Sequence, residues 1–563
     1  MSGEMLARDA VVEQLSLDGV RHVFGNPGTV EQGLLDSLEA AGPGGPQYVL
    51  TLHETAAVGM ADGYARATRR PTVVQLHTGV GLGNGIGMLY QAKRGHSPLV
   101  VLAGDAGLRY DAMDAQMAAD LVAMAEPVTK WATRVVDPDS VLRVLRRAMK
   151  VAATPPMGPV FVALPMDVLD AVTTERPVPT SFLDTRVSPR WEAAYHAART
   201  LVGAERPMII AGDGVTAADA QPELAAVAEA LGAEVWGADW AEVNLDPAHP
   251  LFRGQLGHMF GSHSAPITRR ADAVLICGTY VFPEVFPALS DVFAEGTPVV
   301  HIDPDTWEIA KNFPVDVGIA ADLKPGLGML AEALADAQTD EQRVAARRRA
   351  RAIAELNARE HADAVTADTA VRDEVPLHAF RFAEELARRA PADTVYFDEA
   401  LTSSPELFRY LVPRGPGHYF QTRGGSLGVG IPGAVGLKLA NPDRTVIGFV
   451  GDGGAMYTAE ALWTAARYDI AAKLVICNNH SYELLKLNIG QYWAERGIPE
   501  HAFPTSFDLG HPRIDFVRLS ESLGVPATRV ERPEEIGPAI DRALAHDGPF
   551  LIDLVVAGKV DQP

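Results

Sequence analysis

Short apolar runs recur along the chain, each closing on glycine or polar residues and each followed by a stretch with helical spacing. Tyr48–Leu52 stops at His53-Glu54 and Thr72–Leu76 stops at His77-Thr78, with further runs at Pro98–Ala103 and Gly158–Leu164. Runs of this kind, apolar throughout instead of alternating, predict strands buried on both faces of a parallel sheet. The pattern returns at Met208–Ala211, Ala273–Cys277 and Val299–Ile302, and again at Thr394–Phe397, Thr445–Val450, Leu474–Cys477 and Phe550–Val556. Between the runs, Leu6–Asp18, Thr55–Thr68 and Ala455–Tyr468 have the spacing of helices. Alternating strand and helix predicts an α/β fold.

The punctuation of this pattern divides the chain into three. A first domain covers residues 1–172, and the Pro-, Thr- and Ser-rich stretch 173–189 reads as a linker. A central domain covers 191–337, where Gly212-Asp-Gly214 is most simply a turn. The charged segment 339–364 reads as a solvated connecting helix, and a last domain covers 375–563. A chain of 563 residues has room for three such cores. Its net charge of −23 argues against a nucleic-acid partner, because an acidic surface repels phosphate. Cys277 and Cys477 both lie inside apolar runs, which predicts reduced core thiols and a cytoplasmic setting. The N-terminus lacks a basic segment followed by an apolar one, and no apolar stretch is long enough to span a membrane.

The richest chemistry falls where two runs end. Thr445–Gly453 finishes in Gly451-Asp-Gly453, and Leu474–Asn479 finishes in Asn478-Asn479. Ligands collect at the carboxyl ends of parallel strands, and a helix opening near Gly454 would offer N–H groups to a diphosphate. Asp452 supplies a carboxylate oxygen, Asn479 an amide oxygen and the backbone near Ser481 a carbonyl, a donor set suited to Mg²⁺. Gly-Asp-Gly alone marks a turn more often than a site; the second strand ending in Asn-Asn raises it above that. In the first domain, Glu54 stands at a strand-to-helix switch. Gly25-Asn-Pro-Gly-Thr29 forms a tight loop, and His77 precedes a glycine-rich loop over Gly79–Gly85.

Together, the Gly-Asp-Gly to Asn-Asn unit, His53-Glu54, the Gly25–Thr29 loop and His77 resemble the thiamine diphosphate-dependent decarboxylase and acetohydroxyacid synthase superfamily, most of all its benzoylformate decarboxylase branch. The resemblance runs nearly the whole length and implies three doubly wound parallel-sheet domains: pyrimidine-binding, central and diphosphate-binding. It also implies a cofactor held between the first domain of one subunit and the last of another, hence a homodimer at least and commonly a homotetramer. By the same resemblance Glu54 activates the cofactor, His77 relays protons and Thr29 lies near the substrate carboxylate. Thr402, Ser403, Leu427, Gly451, Gly453, Gly454 and Tyr482 surround thiamine diphosphate, and Asp452, Asn479 and Ser481 hold Mg²⁺. The implied reaction is non-oxidative decarboxylation of a 2-oxo acid to an aldehyde through a cofactor-bound enamine. The alternatives are a carboligase forming 2-hydroxy ketones and a non-catalytic protein of the same fold. Three positions depart from the branch: Val285 stands where it has a second active-site histidine, Glu483 where glycine is usual, and Leu484 where a smaller pocket residue is found. Tyr280 and Phe282 are expected to narrow the cleft. Glu483 is expected to face solvent or substrate, most simply as a carboxylate in the first turn of a helix.

Overall fold

The computed structural model of the protein describes residues 4–560 except 239, 258 and 280–283, so Tyr280 and Phe282 lie outside the described residues. The chain divides into two compact units: Met1–Leu183, Asp373–Leu411 and Thr422–Pro563 form one, and Asp184–Arg372 with Val412–Gln421 the other.

The first unit begins with a six-stranded sheet: β1 (His22–Gly25), β2 (Gln47–Leu50), β3 (Thr72–His77), β4 (Leu99–Asp105), β5 (Trp131–Arg134) and β6 (Val160–Pro165), in the order β2-β1-β3-β4-β6-β5. All its pairings are parallel. Val73, Val74 and Leu76 on β3 and Val100 to Ala103 on β4 are fully or almost fully buried, as unbroken apolar runs require. Helix α1 (Glu54–Thr68) follows β2 and helix α2 (Thr78–Arg94) follows β3 directly.

The second unit carries β7 (Pro207–Ala211), β8 (Glu234–Gly237), β9 (Phe252–Gln255), β10 (Ala273–Cys277), β11 (Val299–Asp303) and β12 (Val317–Ala320), ordered β9-β8-β7-β10-β11-β12, and the long helix α3 (Asp340–Ala370). Its strand order reverses between β7 and β10. There the expected Gly212-Asp-Gly214 turn presses on Gly278: a Cβ on Gly214 would stand 2.6 Å from the Gly278 Cα. Asp213 accepts from the backbone N–H groups of Ala241 and Glu242, which ties this turn to the segment after β8. The short strand Tyr419–Gln421 also belongs to this unit.

Returning to the first unit, the third sheet contains β13 (Val395–Glu399), β14 (Val446–Gly451), β15 (Lys473–Asn478), β16 (Ala527–Val530) and β17 (Phe550–Val555), in the order β13-β14-β15-β17-β16. Those pairings too are parallel. These five strands repeat the order of β1, β3, β4, β6 and β5 in the first sheet, and in both sheets the strand that comes last in the chain lies inside the one before it. Helices α4 (Ser404–Tyr410), α5 (Gly430–Ala440) and α6 (Glu483–Arg496) belong to this last part. Helices α1 and α5 meet backbone to backbone: a Cβ on Gly63 would fall 2.2 Å from the Gly433 oxygen, and one on Gly436 would fall 2.0 Å from the Met60 oxygen. Glycine is obligatory at these two contacts.

Two expectations need correction. The glycine-rich stretch Gly79–Gly85 is not a loop but the opening turns of α2. Gly81 serves close approach, since a Cβ there would sit 2.9 Å from the Glu54 Oε1. The helix expected over Ala455–Tyr468 is broken into a single turn, Asp452–Ala455, and a separate helix, Ala461–Arg467. The stretch after Val172 is also less loose than a free linker. Thr173 pairs with Met5 in a two-stranded antiparallel ribbon, and Gln14 and Asp18 bind Val178 and Thr180. Both cysteines are free and buried. Among the described residues, no helix is long and apolar enough to cross a membrane.

Candidate active site

Two groups of the expected residues assemble, one at the end of the first sheet and one at the end of the third. In the first, Glu54 is the opening residue of α1 and is buried at 5% exposure. The His53 side chain caps the helix by accepting from the Thr55 N–H at 3.2 Å. Two amides address the Glu54 carboxyl group: Asn84 Nδ2 at 3.0 Å from Oε2, and Asn26 Nδ2 at 3.4 Å from Oε1. Asn26 comes from the Gly25–Thr29 loop and Asn84 from α2, so the loop and both helices converge on this carboxyl.

His77 ends β3, and its Nδ1 lies 2.9 Å from Glu31 Oε2. Glu31 is 2% exposed and also accepts the Gly28 N–H at 3.0 Å. Burial pushes the Glu31 carboxyl above its usual range while the neighbouring imidazole pulls it back. A Cβ on Gly28 would collide with the His77 ring at 2.1 Å, so the loop glycine is what lets the ring lie against it. Glu31 had no role in the sequence reading; its only signal was its place two residues beyond Thr29. Thr29 itself is exposed at the loop's tip.

In the second group, Asp452 begins the single helical turn after β14. Its carboxyl is 4% exposed, with Oδ1 accepting from Gly453 N–H at 2.8 Å and Oδ2 from Ser481 N–H at 3.2 Å. Burial raises it to about 6 against the opposing pull of those backbone N–H groups. Asn479 Oδ1 accepts from the same Ser481 N–H at 3.0 Å. One amide therefore brings together the two side-chain oxygens expected to bind a cation. Among the described residues no cluster of three or more His, Cys, Asp or Glu could hold a metal. A set of one carboxylate, one amide and one backbone carbonyl contains only one such residue, and it suits Mg²⁺, a hard cation that keeps water and phosphate in its remaining positions. A carboxylate this buried gains from a cation beside it.

Of the three glycines here, Gly453 is the constrained one. The Tyr482 ring crosses it, and a Cβ would meet Cε1 at 2.4 Å, whereas Gly451 and Gly454 have ordinary room. Ser403 is buried and Thr402 partly exposed in the tight turn Leu401–Ser403. Partly exposed Leu427 precedes Gly428, whose φ is +96°. Glu399, at the end of β13, accepts the N–H groups of Gly428 and Gly430 and so fixes the loop after Leu427. Burial lifts Glu399 to about 7. It has no place in the sequence reading, because its position at a strand end is legible but its burial is not.

Backbone strain clusters at the same places. Thr78, Leu401 and His480 adopt left-handed conformations at φ +46°, +49° and +57°, directly beside His77, Thr402 and Asn479. Such a conformation costs a side-chain-bearing residue about 1–3 kcal/mol and persists only where the surroundings enforce it. Of the departures noted in the sequence, Val285 is exposed and Leu484 partly buried. Glu483 is the first-turn carboxylate of the simplest expectation, but it is turned away from solvent. It is the first residue of α6 and 3% exposed, and it accepts the backbone N–H groups of Lys559 and Val560. Sequence could not foresee this, since the tail arrives from the far end of the chain.

Three family models match in chain order. The N-terminal TPP binding domain of thiamine pyrophosphate enzymes matches residues 5–124, their central domain 195–330 and their C-terminal TPP binding domain 402–554. The benzoylformate decarboxylase of Pseudomonas aeruginosa is 31% identical over 97% of this chain and 98% of its own length. The chain belongs to the thiamine pyrophosphate enzyme family. Other members are also similar. The acetolactate synthase isozyme 3 large subunit of Escherichia coli is 29% identical, covering 99% of this chain and 96% of that one. The thiamine diphosphate-dependent 4-hydroxybenzoylformate decarboxylase of Rhodococcus jostii RHA1 superposes with a TM-score of 0.83 at 28% identity, over 99% of this chain and 100% of that one. Within the family, relatives named for decarboxylation and for acetolactate synthesis both match along almost the whole length.

Proposed function

We propose that this family member is a thiamine diphosphate- and Mg²⁺-dependent decarboxylase that converts a 2-oxo acid to an aldehyde and carbon dioxide. The reading is carried by the His77–Glu31 pair in the same group as Glu54, which provides a carboxyl for activation and an oriented imidazole for protonation. Thiamine diphosphate, when bound, supplies a centre that takes up the electron pair left when carbon dioxide departs. Glu54 would hydrogen-bond the pyrimidine ring of the bound cofactor, and Asn26 and Asn84 hold its carboxyl in place. Glu31 engages His77 Nδ1, leaving Nε2 as the nitrogen that passes a proton to the reacting carbon. The Thr29 hydroxyl binds the substrate carboxylate. Asp452, Asn479 and the Ser481 carbonyl hold Mg²⁺, Thr402 and Ser403 hold the diphosphate, and Gly451, Gly453, Gly454 and Tyr482 line its seat. Leu427 supports the cofactor from its apolar side. In this reading the functional domains are 1–172, 191–337 and 375–563, and the active unit is a homodimer or a tetramer built from it.

A carboligase is the second reading. It is favoured by Val285, which stands where benzoylformate decarboxylases carry a histidine, since one proton donor fewer prolongs the time in which a second carbonyl compound can react. A panel of 2-oxo acids, with carbon dioxide, aldehyde and 2-hydroxy ketone all measured, separates the two. Equal yields of carbon dioxide and aldehyde support the first, and ketone with little aldehyde supports the second. His77→Ala is expected to lower turnover by about 10²-fold while cofactor binding persists. An unchanged rate on the preferred acid would reduce His77 to packing.

Substrate preference follows from volume. Leu484, the second residue of α6, adds three heavy atoms relative to alanine, and a close-packed cleft cannot absorb them without displacement. Short aliphatic 2-oxo acids should be preferred over benzoylformate, with Leu484→Ala shifting kcat/KM toward the aryl acid. A native enzyme already faster on benzoylformate would end this argument.

A further inference from the structure

The segment that follows β17 ties together the elements that bear the second group. Beyond β17, the Val556 N–H donates to the Asn478 oxygen at 2.9 Å, one residue before Asn479, and the Ala557 N–H donates to Leu377. The chain then turns at Gly558, where a Cβ would lie only 3.1 Å from the Glu483 carboxylate. Glu483 Oε1 accepts the Lys559 N–H at 2.6 Å and the Val560 N–H at 2.7 Å, while Lys486 Nζ lies 3.3 Å from Oε2. The Lys559 ammonium pairs with Glu406, which lies on α4 three residues after Ser403. Residues 556–560 thus touch the end of β15, the first turn of α6 and the first turn of α4.

We propose that Val556–Val560 is a strap that holds the Thr402-Ser403 turn and the Asn479–Tyr482 loop in their cofactor-binding arrangement, with Glu483 as the positioning residue. The proposal rests on the reading of those segments as the metal and diphosphate site. A carboxylate buried as deeply as Glu483 needs hydrogen-bond donors, and the strap's two amides provide charge-assisted ones. When the strap leaves, Glu483 has to move toward water. Rehydrating it loosens the first turn of α6, two residues from Ser481. The binding-competent loop then becomes one member of an ensemble, and apparent affinity falls by the fraction lost. The consequence is for cofactor affinity, not for the chemical step.

The test uses the full-length protein with Mg²⁺ and thiamine diphosphate, and titrates binding by tryptophan fluorescence. Deletion of residues 559–563 removes the strap's end, whereas Val560→Pro removes a single N–H donor and leaves the side-chain contacts. Val560→Pro should raise the dissociation constant about tenfold, the equivalent of about one charge-assisted hydrogen bond, and the deletion, which removes both donors and the Lys559 ammonium, should raise it further, with kcat at saturating cofactor roughly unchanged in both. Glu483→Gln, which keeps one accepting oxygen, should fall between. In the cofactor-free variants, hydrogen exchange should accelerate at residues 479–484. Unchanged affinity and exchange in Val560→Pro would overturn the strap. A lowered Tm with unchanged affinity would leave it a purely structural contact and overturn it equally. Failure of the native protein to bind thiamine diphosphate would instead refute the cofactor reading beneath it.

Discussion

Glu54→Gln is expected to lower turnover on the preferred 2-oxo acid by about 10³-fold, within the span reported for groups that transfer protons in the rate-limiting region. The substitution keeps the shape of a side chain that fits between α1 and α2, where a Cβ on Gly81 would already be 2.9 Å from Oε1. It keeps an oxygen for Asn84, turns the group facing Asn26 from an acceptor into a donor, and removes the ability to share a proton. Fold and cofactor affinity should therefore persist, which makes loss of rate diagnostic. Steady-state carbon dioxide release, together with the exchange rate of the cofactor's acidic ring proton followed by NMR, measures the effect. A rate within tenfold of native would show that Glu54 is only a helix-opening carboxylate at the positive end of α1.

Asp452→Ala should abolish cofactor retention. The substitution removes a buried acceptor for two backbone N–H groups, those of Gly453 and Ser481, and with it the one carboxylate of the proposed cation site. Leaving a buried donor unpaired costs about 1–3 kcal/mol, so a modest fall in thermal stability should accompany the loss. Thiamine diphosphate released by acid from the purified protein and assayed fluorometrically should be near stoichiometric in the native enzyme. It should be almost absent in the variant, and chelation of the metal should reproduce the loss in the native protein. Stoichiometric cofactor in Asp452→Ala would remove the residue from the site.

How much of this could be read from sequence depended on whether the cause was local. The buried strands were legible because parallel strands show as unbroken apolar runs, and the strand-end positions of Asp452, Asn479 and Glu54 because each stands where such a run stops. The strands Glu234–Gly237, Phe252–Gln255 and Val317–Ala320 escaped notice; they are four residues each, and the last alternates buried with exposed residues. Glycine misled at Gly79–Gly85, since the same residue type marks a turn or a close helix contact, and only the position of Glu54 tells which. Glu31, Glu399 and Glu483 were opaque for a different reason. A carboxylate has no local signature of burial, and each of these is buried by partners elsewhere: the His77 ring, the Gly428–Gly430 backbone and the chain's own end.

The contact between α1 and α5 has a consequence for the order in which the molecule can be made. Its two halves come from residues 54–68 and 430–440, separated by the whole second unit, so the glycine-lined face of α1 has no mate while the intervening chain is being synthesised. At about 5–20 residues per second, the ribosome leaves that face uncovered for roughly 20 to 75 seconds, far longer than a collapsed chain needs to find a wrong partner. The second unit, contiguous from Asp184 to Arg372 apart from one short segment, can fold in that interval, but the first cannot be completed. Biogenesis therefore has a built-in waiting step, during which the glycine-lined face of α1 is the surface on which the nascent first sheet can mispair.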